Sequence, residues 1–330
     1  MSGAVRARKG APEGLRAPTL EEIEGARVRI AGAAIRSPLV RLETEEGPRL
    51  WLKLENLQPI GSFKLRGAAS AIGLLDDTEL AEGVWTASAG NMAQGVAWAA
   101  RRLGVPCAVV VPETAPAAKL EAIARLGARA VKTSVESWFE VFSTRRFEGM
   151  EGRFIHAFMD RDVMAGNGTI ALEILEDLPD VDSIVVPFGG GGLACGIAAG
   201  LEALAPEATV FAAEVEGQAP LAASLEADRA VSVDSRPTFV DGIGGPHVEP
   251  PMWELARRMR AGSIVVSLEE VAAAVRLLVE RARTDAEGAG AASVAAALSK
   301  AVPGDDIVCV VSGGNLDRGT LAGILAGEIP

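Results

Sequence analysis

Residues 183–204, SIVVPFGGGGLACGIAAGLEAL, decide the fold because they hold a strand, a glycine turn and a helix in direct succession. The apolar run SIVVPF is typical of a strand that is buried on both faces of a sheet. The alanine-rich run GLACGIAAGLEAL is typical of a helix. A buried strand that leads directly into a helix is the repeating half of a parallel α/β sheet, and this stretch therefore predicts that architecture.

The same alternation continues along most of the chain. Strand-like runs such as GVWTAS (83–88), CAVVVP (107–112), TVFAAEV (209–215) and IVCVVSGG (307–314) each precede a helical stretch. Right-handed crossovers between parallel strands place helices on both faces of a sheet. Because these units are too many for one small sheet, we expect two doubly wound α/β domains with a cleft between them.

The charge balance excludes several kinds of partner. The 330 residues include 32 Lys and Arg against 44 Asp and Glu, which gives a formal net charge of −12. An acidic chain repels phosphate backbones and anionic lipids, so we expect neither nucleic acid nor a membrane surface as a partner. No apolar run reaches the roughly 18 residues of a membrane span.

The cysteines and the N-terminal stretch indicate the compartment. Cys107, Cys195 and Cys309 form no C-x-x-C pair, which argues against a disulfide framework or a zinc knuckle and favours a reducing cytoplasm. The first residues lack the apolar core of a signal peptide. We expect this basic stretch, with Arg6, Arg8, Lys9 and Arg16, to be a frayed terminus.

The chain has two histidines, His156 and His247, and lacks the motifs G-x-S-x-G, H-E-x-x-H and G-x-x-x-x-G-K-[ST]. These absences argue against a serine hydrolase, a zinc protease and a P-loop ATPase. His156, Cys107 and Cys309 lie in strand-like runs and are expected to be core residues, whereas His247 could serve either purpose.

Lys64 is the first candidate for chemistry. RLWLKLEN (49–56) is predicted to be a strand, and SFKLRGAASAIGLL (62–75) a helix with Ser62 at its N-cap. A lysine in the first helical turn faces the positive end of the helix dipole, which lowers its pKa as an amine that forms a Schiff base requires. A solvated surface lysine is the alternative, since the dipole contributes only about 0.3–1 kcal/mol.

Three turns after strands are further candidates. The backbone N–H groups of the glycines at 189–192 could converge into a phosphate cradle, although Leu193 and Ala194 break the G-x-G-x-x-G pattern and close packing is the alternative. The turn SAGNM (88–92) offers N–H groups and an amide for a carboxylate. The turn SGGN (312–315) offers a hydroxyl at a strand's carboxyl edge, where ligands of open α/β sheets bind. Either of the last two also fits a plain helix cap.

Five motifs follow one another along the chain in the order GSFKLRGA, SAGNMAQGVA, VPFGGGGLACGIA, EGAGAA and SGGN. In them the chain resembles the fold-type-II pyridoxal-phosphate enzymes of the threonine/serine dehydratase and serine racemase family, within the tryptophan synthase β superfamily, from about Thr19 onward. The resemblance implies a pyridoxal-phosphate site in the cleft. It also implies a large cofactor-binding domain of residues 1–82 and 161–330 and a small mobile domain of residues 83–160.

The resemblance assigns roles residue by residue. Lys64 would hold the cofactor covalently and act as the base at the substrate Cα, Phe63 would lie beside the cofactor ring, and Ser312 would face the pyridine nitrogen. The implied cofactor-binding set is Phe63, Lys64, Asn91, Gly189, Gly190, Gly191, Gly192, Leu193 and Ser312. The implied substrate-binding turn is Ser88, Ala89, Gly90, Asn91 and Met92. Because a serine cannot protonate the ring nitrogen, the resemblance favours β-elimination over transamination.

Departures from the family pattern narrow the range of expected activities and substrates. Ala89 stands where similar racemases have a serine, so efficient racemisation is not expected. Met92 replaces a usual histidine, and Phe188 and the stretch FMDRD (158–162) also differ. These changes leave room for a bulkier β-hydroxy amino acid than threonine.

Other motif positions are less decisive. Some relatives bind a cation through a residue that matches Glu214, but Gln218 and Pro220 follow it here, and we predict no metal. Glu287 could shape proton delivery or merely stabilise a helix start. The stretch 226–251, rich in proline and glycine, is expected to be a long ordered and functional loop.

The sequence thus predicts a pyridoxal-phosphate-dependent ammonia-lyase that converts a β-hydroxy L-amino acid into a 2-oxo acid and ammonia. A racemase or β-replacement enzyme of the same fold is the first alternative, and a non-catalytic pyridoxal-phosphate-binding module is the second. The resemblance suggests a homodimer. Because the chain ends soon after SGGN, we expect no C-terminal regulatory domain and a catabolic or specialised role.

Overall fold

A computed structural model of the chain describes residues 14–44, 47–259 and 262–330. Arg6, Arg8 and Lys9, which were expected to belong to a frayed terminus, lie outside these ranges. Within them, every helix is too short or too polar to span a bilayer.

Strands and helices alternate along the described residues, as predicted. The strands are β1 Leu39–Leu42, β2 Arg49–Leu54, β3 Val84–Ala87, β4 Cys107–Pro112, β5 Arg129–Thr133, β6 Arg153–Phe154, β7 Ser183–Pro187, β8 Thr209–Val215, β9 Ser263–Val266 and β10 Asp306–Val311. The helices are α1 Leu20–Arg29, α2 Lys64–Ile72, α3 Asp77–Glu82, α4 Asn91–Leu103, α5 Ala117–Arg125, α6 Val135–Thr144, α7 Arg161–Asp177, α8 Gly192–Leu204, α9 Pro220–Ala227, α10 Pro250–Ala256, α11 Leu268–Leu277, α12 Gly288–Leu298 and α13 Arg318–Leu325. A 3-10 turn, Glu55–Leu57, and a π turn, Leu278–Ala282, complete the regular elements.

The strands form two sheets. A six-stranded sheet has the order β1-β2-β10-β7-β8-β9, and a four-stranded sheet has the order β5-β4-β3-β6. Neighbouring strands are parallel except β1, which pairs antiparallel with β2. The predicted α/β class is therefore confirmed. Strand β1 was not predicted, because it is a short edge strand with no helix beside it to mark a repeat unit.

Strand β10 shows that the larger sheet is covered on both faces. Its alternating side chains Cys309 and Val310 are both fully buried, but Cys309 belongs to the apolar core with α11 and α12, whereas Val310 belongs to the core with α8 and α10. Successive strand residues point to opposite faces. The sheet is thus doubly wound, and Cys309 is a core residue as expected.

The start of helix α2 differs from the prediction. The helix begins at Lys64 with Phe63 at the N-cap and no side-chain cap, so the assignment of Ser62 as the cap is wrong. Ser62 instead forms an antiparallel bridge with Gly313, and the Phe63 N–H donates to the Ser312 carbonyl at 2.9 Å. The chain entering α2 is therefore held by the turn after β10, which keeps the Ser62 hydroxyl away from the helix.

Strand boundaries within residues 84–154 agree with the position of the predicted smaller domain. The four strands of the smaller sheet all lie in this stretch, and the six strands of the larger sheet lie outside it. Helix α2 packs against both α4 and α7, which places its first residue, Lys64, between the two sheets. The division at residues 82 and 160, and the mobility of the smaller part, remain predictions.

Candidate active site

The turns that follow β3 and β10 meet the N-terminus of helix α2, and residues 157–158 connect that N-terminus to the turn after β7. The turn after β10 touches α2 through the Phe63–Ser312 hydrogen bond. Helix α4, which follows β3, approaches so closely that a Cβ on Gly95 would lie 3.2 Å from the Lys64 backbone. The carboxyl ends of parallel strands thus gather the predicted side chains at one place, as an open α/β sheet requires.

Lys64 is half-buried, and its amine is held by the protein. Its Nζ donates to the Ala157 carbonyl at 2.9 Å and lies 5.0 Å from the centre of the Phe63 ring. Burial lowers the pKa of Lys64 to about 8, with the charge of Glu287 acting in the opposite direction. The alternative of a solvated surface lysine is wrong. The expected direction of the pKa change is correct, with burial as its main cause.

The glycine turn is packed from both sides. A Cβ on Gly190 would lie 2.2 Å from Cγ of Phe158, and Gly191 has a φ of +84°. From the other side, a Cβ on Gly189 would lie 3.2 Å from Cα of Ile243. Close packing therefore explains part of the glycine run, as the alternative suggested. The turn still opens helix α8 at Gly192, and the first N–H groups of a helix have no acceptor within it.

Sequence reasoning missed the contribution of the segment 156–160. Its Ala157 carbonyl holds Lys64, and its Phe158 ring covers the glycine turn. The available signal was its position, because the segment leaves the carboxyl end of β6 at the same edge as the other turns.

His156 shapes this segment from inside the core. The side chain is fully buried, and its Nδ1 accepts hydrogen bonds from the N–H groups of Phe158 and Met159 at 3.2 and 2.9 Å. Burial, followed by the charge of Arg145, lowers the pKa of His156 to about 3. His156 is thus a neutral core residue, as expected, and fixes the backbone that contacts Lys64.

A polar cluster of Glu287, Asn91 and Asn315 connects helix α4 to the larger sheet. The amide of Asn91 donates to Glu287 at 2.8 Å, and the amide of Asn315 donates to Asn91 at 2.7 Å. Burial, followed by the charge of Asp241, raises the pKa of Glu287 to about 7. The alternative of a helix-stabilising carboxylate does not hold, because the Glu287 side chain caps no helical N–H and its pKa is raised instead of lowered.

The predicted substrate turn divides between the cleft and the core. The Gly90 N–H donates to the Ser88 hydroxyl at 3.1 Å, and Asn91 then begins helix α4. Ala89 is half-buried. Met92 is only 2% exposed and packs among apolar residues of α2 and α4. The Met92 side chain therefore belongs to the core, and binding of a substrate by the turn 88–92 remains a prediction.

The long loop between α9 and α10, residues 228–249, lies over the glycine turn, as the packing of Ile243 shows. It also carries Asp241, which forms an ion pair of 2.8 Å with Lys119 of helix α5. This pair joins the loop to the smaller sheet. His247 pairs with Glu249 at 3.1 Å on the exposed side of the loop and is remote from Lys64 in these contacts.

Glu214 is completely buried, and its carboxylate accepts hydrogen bonds from other groups of the protein. Its carboxylate accepts hydrogen bonds from the N–H groups of Leu221 and Ala222, both at 2.8 Å, and from the Ser263 hydroxyl at 2.6 Å. Pro220 begins helix α9, and Gln218 donates to the Arg236 carbonyl. The expected lack of a metal here remains a prediction.

Comparisons with known proteins agree with this geometry. An L-threonine ammonia-lyase of Thermotoga maritima is 41% identical over 305 residues, which cover 91% of this chain and 76% of the relative. A catabolic L-threonine dehydratase of Staphylococcus aureus is 36% identical over 93% of this chain and 92% of the relative. The structure of maize serine racemase superposes with a TM-score of 0.87 at 34% identity, covering 94% of this chain and 98% of that one.

The family described as pyridoxal-phosphate dependent enzymes matches residues 30–313. The match confirms the predicted cofactor and the resemblance stated above. The chain belongs to the family of pyridoxal-phosphate dependent enzymes.

Proposed function

We propose that this enzyme is an ammonia-lyase that dehydrates a β-hydroxy L-amino acid to a 2-oxo acid and ammonia. The observation that carries the proposal is the Lys64 amine, which is buried between the sheets with a lowered pKa and a carbonyl as its hydrogen-bond partner. Relatives named as L-threonine ammonia-lyase and L-threonine dehydratase support the same reaction.

The residues present fit pyridoxal phosphate. The Ser62 hydroxyl is buried without a hydrogen-bond partner beside the turn after β10, and this polar atom could therefore bond to a cofactor. A side chain on any of Gly190, Gly191 or Gly192 would crowd the turn at the N-terminus of α8. Lys64 would hold the cofactor aldehyde, the N–H groups of α8 would hold its phosphate, and Ser312 and Asn91 would face its ring.

Bound pyridoxal phosphate would supply an electron sink that makes loss of the substrate Cα proton feasible. Lys64 accepts this proton at Nζ, because a pKa of about 8 leaves an appreciable fraction of the amine unprotonated near neutral pH. The Ala157 carbonyl orients the amine through their hydrogen bond of 2.9 Å. Loss of the Cα proton and of the β-hydroxyl together amounts to loss of one water. Hydrolysis of the resulting enamine, through its imine tautomer, consumes one water and releases the 2-oxo acid and ammonia.

The turn 88–92 is proposed to bind the substrate carboxylate through its backbone N–H groups. Ala89 in this turn has a methyl group and cannot deliver a proton to the other side of the substrate. Elimination is therefore favoured over inversion at Cα.

The test uses the purified holoenzyme with threonine, serine, 3-hydroxyaspartate and phenylserine, and it measures 2-oxo acid and ammonia together. Equal amounts of both products from at least one substrate are expected. Formation of the D-isomer without 2-oxo acid from every substrate would contradict the proposal.

Amino-acid racemisation is the second candidate because maize serine racemase shares the fold over nearly the whole chain. Ala89→Ser restores the hydroxyl that similar racemases carry at this position. If the assignment of Ala89 is right, the variant forms more D-isomer per 2-oxo acid than the natural enzyme, with unchanged absorbance of the bound cofactor.

We also infer a homodimer in a reducing cytoplasm. The described cysteines, Cys107, Cys195 and Cys309, are all free, and burial raises the pKa of each thiol to about 12, which keeps the thiols unreactive. Light scattering on the holoenzyme should give twice the mass of one chain.

A further inference from the structure

A cavity of about 480 Å³ lies on the smaller sheet, and Lys64 is not among the residues that line it. Its wall is built by residues 145–154, which connect α6 to β6, and by Trp85 of β3. The volume falls within the range of small-molecule sites, roughly 300–1,000 Å³.

The charged part of the wall consists of three arginines, Arg145, Arg146 and Arg153. Within the described residues, these three arginines form one ion pair, between Arg153 and Asp160 at 3.9 Å. Arg146 is exposed and has neither an ion pair nor a side-chain hydrogen bond in that part of the chain. Three guanidinium groups around one cavity, in a chain whose formal net charge is −12, are an excess of local positive charge that an anion would neutralise.

The apolar part of the wall is aromatic. Trp85 is 3% exposed, and its ring lies 4.5 Å from the ring of Phe154. Phe147 and Met150 contribute further apolar surface. Arginines beside aromatic rings are suited to a ligand with an anionic group and an apolar group, because a planar guanidinium binds carboxylate or phosphate oxygens in pairs.

The cavity is coupled to the segment 156–160 of the active site. Arg145 donates to the Met159 carbonyl at 2.6 Å, and Arg153 is the ion-pair partner of Asp160. The same segment holds Lys64 through the Ala157 carbonyl and covers the glycine turn with Phe158. A ligand that draws Arg145 or Arg153 toward the cavity would therefore alter the support of the segment that contacts Lys64.

We propose that this cavity binds a small organic anion, a phosphate or carboxylate that carries an apolar group, and that binding changes the conformational stability of segment 156–160. The site stands on its own contacts and does not depend on the reaction proposed for Lys64.

The first experiment is isothermal titration calorimetry of the holoenzyme, whose bound cofactor fills its own phosphate site. The probes are phenyl phosphate, phenylacetate and inorganic phosphate. We expect at least one of the two aromatic probes to bind at one site per chain. Tighter binding of phenyl phosphate would identify phosphate as the preferred anion, and tighter binding of phenylacetate would identify carboxylate. Inorganic phosphate should bind more weakly, because it lacks the group that would contact Trp85 and Phe154.

Arg146→Gln is the decisive variant, because within the described part of the chain the Arg146 side chain makes no ion pair or hydrogen bond whose loss could unfold the protein. Loss of one charge-assisted hydrogen bond should weaken the aromatic probe by about tenfold or more. Arg125→Gln is the matched control, since Arg125 is a 70%-exposed arginine on α5 and does not line the cavity; its affinity should equal that of the natural enzyme.

Hydrogen exchange with and without the probe tests the coupling. The amides of Phe158 and Met159 should change their exchange rates on binding in the natural enzyme and not in Arg146→Gln. Three results would overturn the proposal: an affinity unchanged by both Arg146→Gln and Arg153→Gln, inorganic phosphate binding as tightly as the aromatic probes, or bound probe with no change in exchange at residues 156–160.

Discussion

Lys64 and Arg66 both lie in the first turn of helix α2, and their charges meet opposite surroundings. Arg66 is 1% exposed and forms ion pairs with Glu55 at 2.8 Å and Glu173 at 2.7 Å. Burial opposes its charge, but the two carboxylates outweigh burial and raise the pKa of Arg66. Among the described residues, Lys64 has no carboxylate within ion-pair distance, and its pKa falls to about 8. For these two residues, the carboxylates beside Arg66 and their distance from Lys64 separate a fixed structural charge from a usable base.

Arg66 belongs to a buried charge cluster that also contains Lys53, Glu55 and Glu173. Lys53 donates to Glu173 and to the Ser37 carbonyl, both at 2.6 Å. Two cations and two carboxylates therefore neutralise one another between β2, α2 and α7. The cluster joins α2 to β2 and α7, and its carboxylates pair with Arg66 and Lys53 and not with Lys64.

Loss of the free amine should produce the largest effect. Lys64→Ala removes the base and the cofactor attachment, and kcat for 2-oxo acid release should fall by about 10³-fold or more. The thermal midpoint of the apoenzyme should change little, because Lys64 has no ion pair with any described residue. Lys132→Ala, at an exposed lysine of β5, is the control and should keep full activity. Substantial turnover by Lys64→Ala would refute the proposed mechanism.

Loss of the neutralised cation should instead affect stability. Arg66→Met leaves Glu55 and Glu173 with Lys53 alone, and removing one partner of a buried pair costs about 3–5 kcal/mol of the free energy of unfolding. Chemical denaturation measures the difference, with the exposed Arg125→Met as the matched control. A loss below about 1 kcal/mol would show that the cluster does not stabilise α2.

Glu287 is the carboxylate whose charge acts on Lys64, and its own titration should appear in the stability of the apoenzyme. Its pKa in the folded chain, about 7, lies above the ordinary 4.5, so the folded chain binds more protons between these values. The free energy of unfolding should therefore fall as pH rises through this window, by up to about 3 kcal/mol.

Glu287→Gln should flatten this pH dependence while keeping an oxygen that can accept from Asn91. The control Glu280→Gln, at an exposed glutamate of the π turn, should retain the slope. If denaturation curves of Glu287→Gln and the natural chain depend on pH equally, Glu287 does not titrate in this range.

Lys119 and Asp241 provide the weakest case, an ion pair whose side chains are 42% and 64% exposed. Water screens such a pair, and Lys119→Ala should cost less than about 1 kcal/mol. Because the pair joins the smaller sheet to the loop over the glycine turn, we expect a modest rise in KM that disappears near about 1 M salt. A rise that persists at high salt would assign Lys119 a role beyond its charge.

Much of the fold could be predicted from local patterns, and the cofactor from the resemblance of five motifs to a known family. The apolar runs at β7 and β10 are continuous because both faces of these strands are buried. The glycine turn and the lysine of GSFKLRGA lie at element boundaries that such patterns mark, and the family match confirms the cofactor. The individual roles of Phe63, Asn91 and Ser312, the homodimer and the compartment remain predictions.

Other features depend on contacts between distant parts of the chain. Ser62 is a plausible helix cap in isolation, but Gly313 holds it in a bridge instead. No local pattern around Phe158 predicts that its ring covers the glycine turn. Glu287 is a plausible helix-start carboxylate in isolation, but its side chain accepts a hydrogen bond from Asn91 of helix α4.

The sequence by itself determined the order of strands and helices, the glycine turn and the presence of a lysine at a helix start, because each depends on residues close together in the chain. Only the tertiary structure decided that Arg66 is neutralised by Glu55 and Glu173 whereas Lys64 is left to the Ala157 carbonyl. The pKa of a side chain depends on its burial and on the charges that the fold brings near it. Neither can be predicted from the neighbouring residues in the sequence.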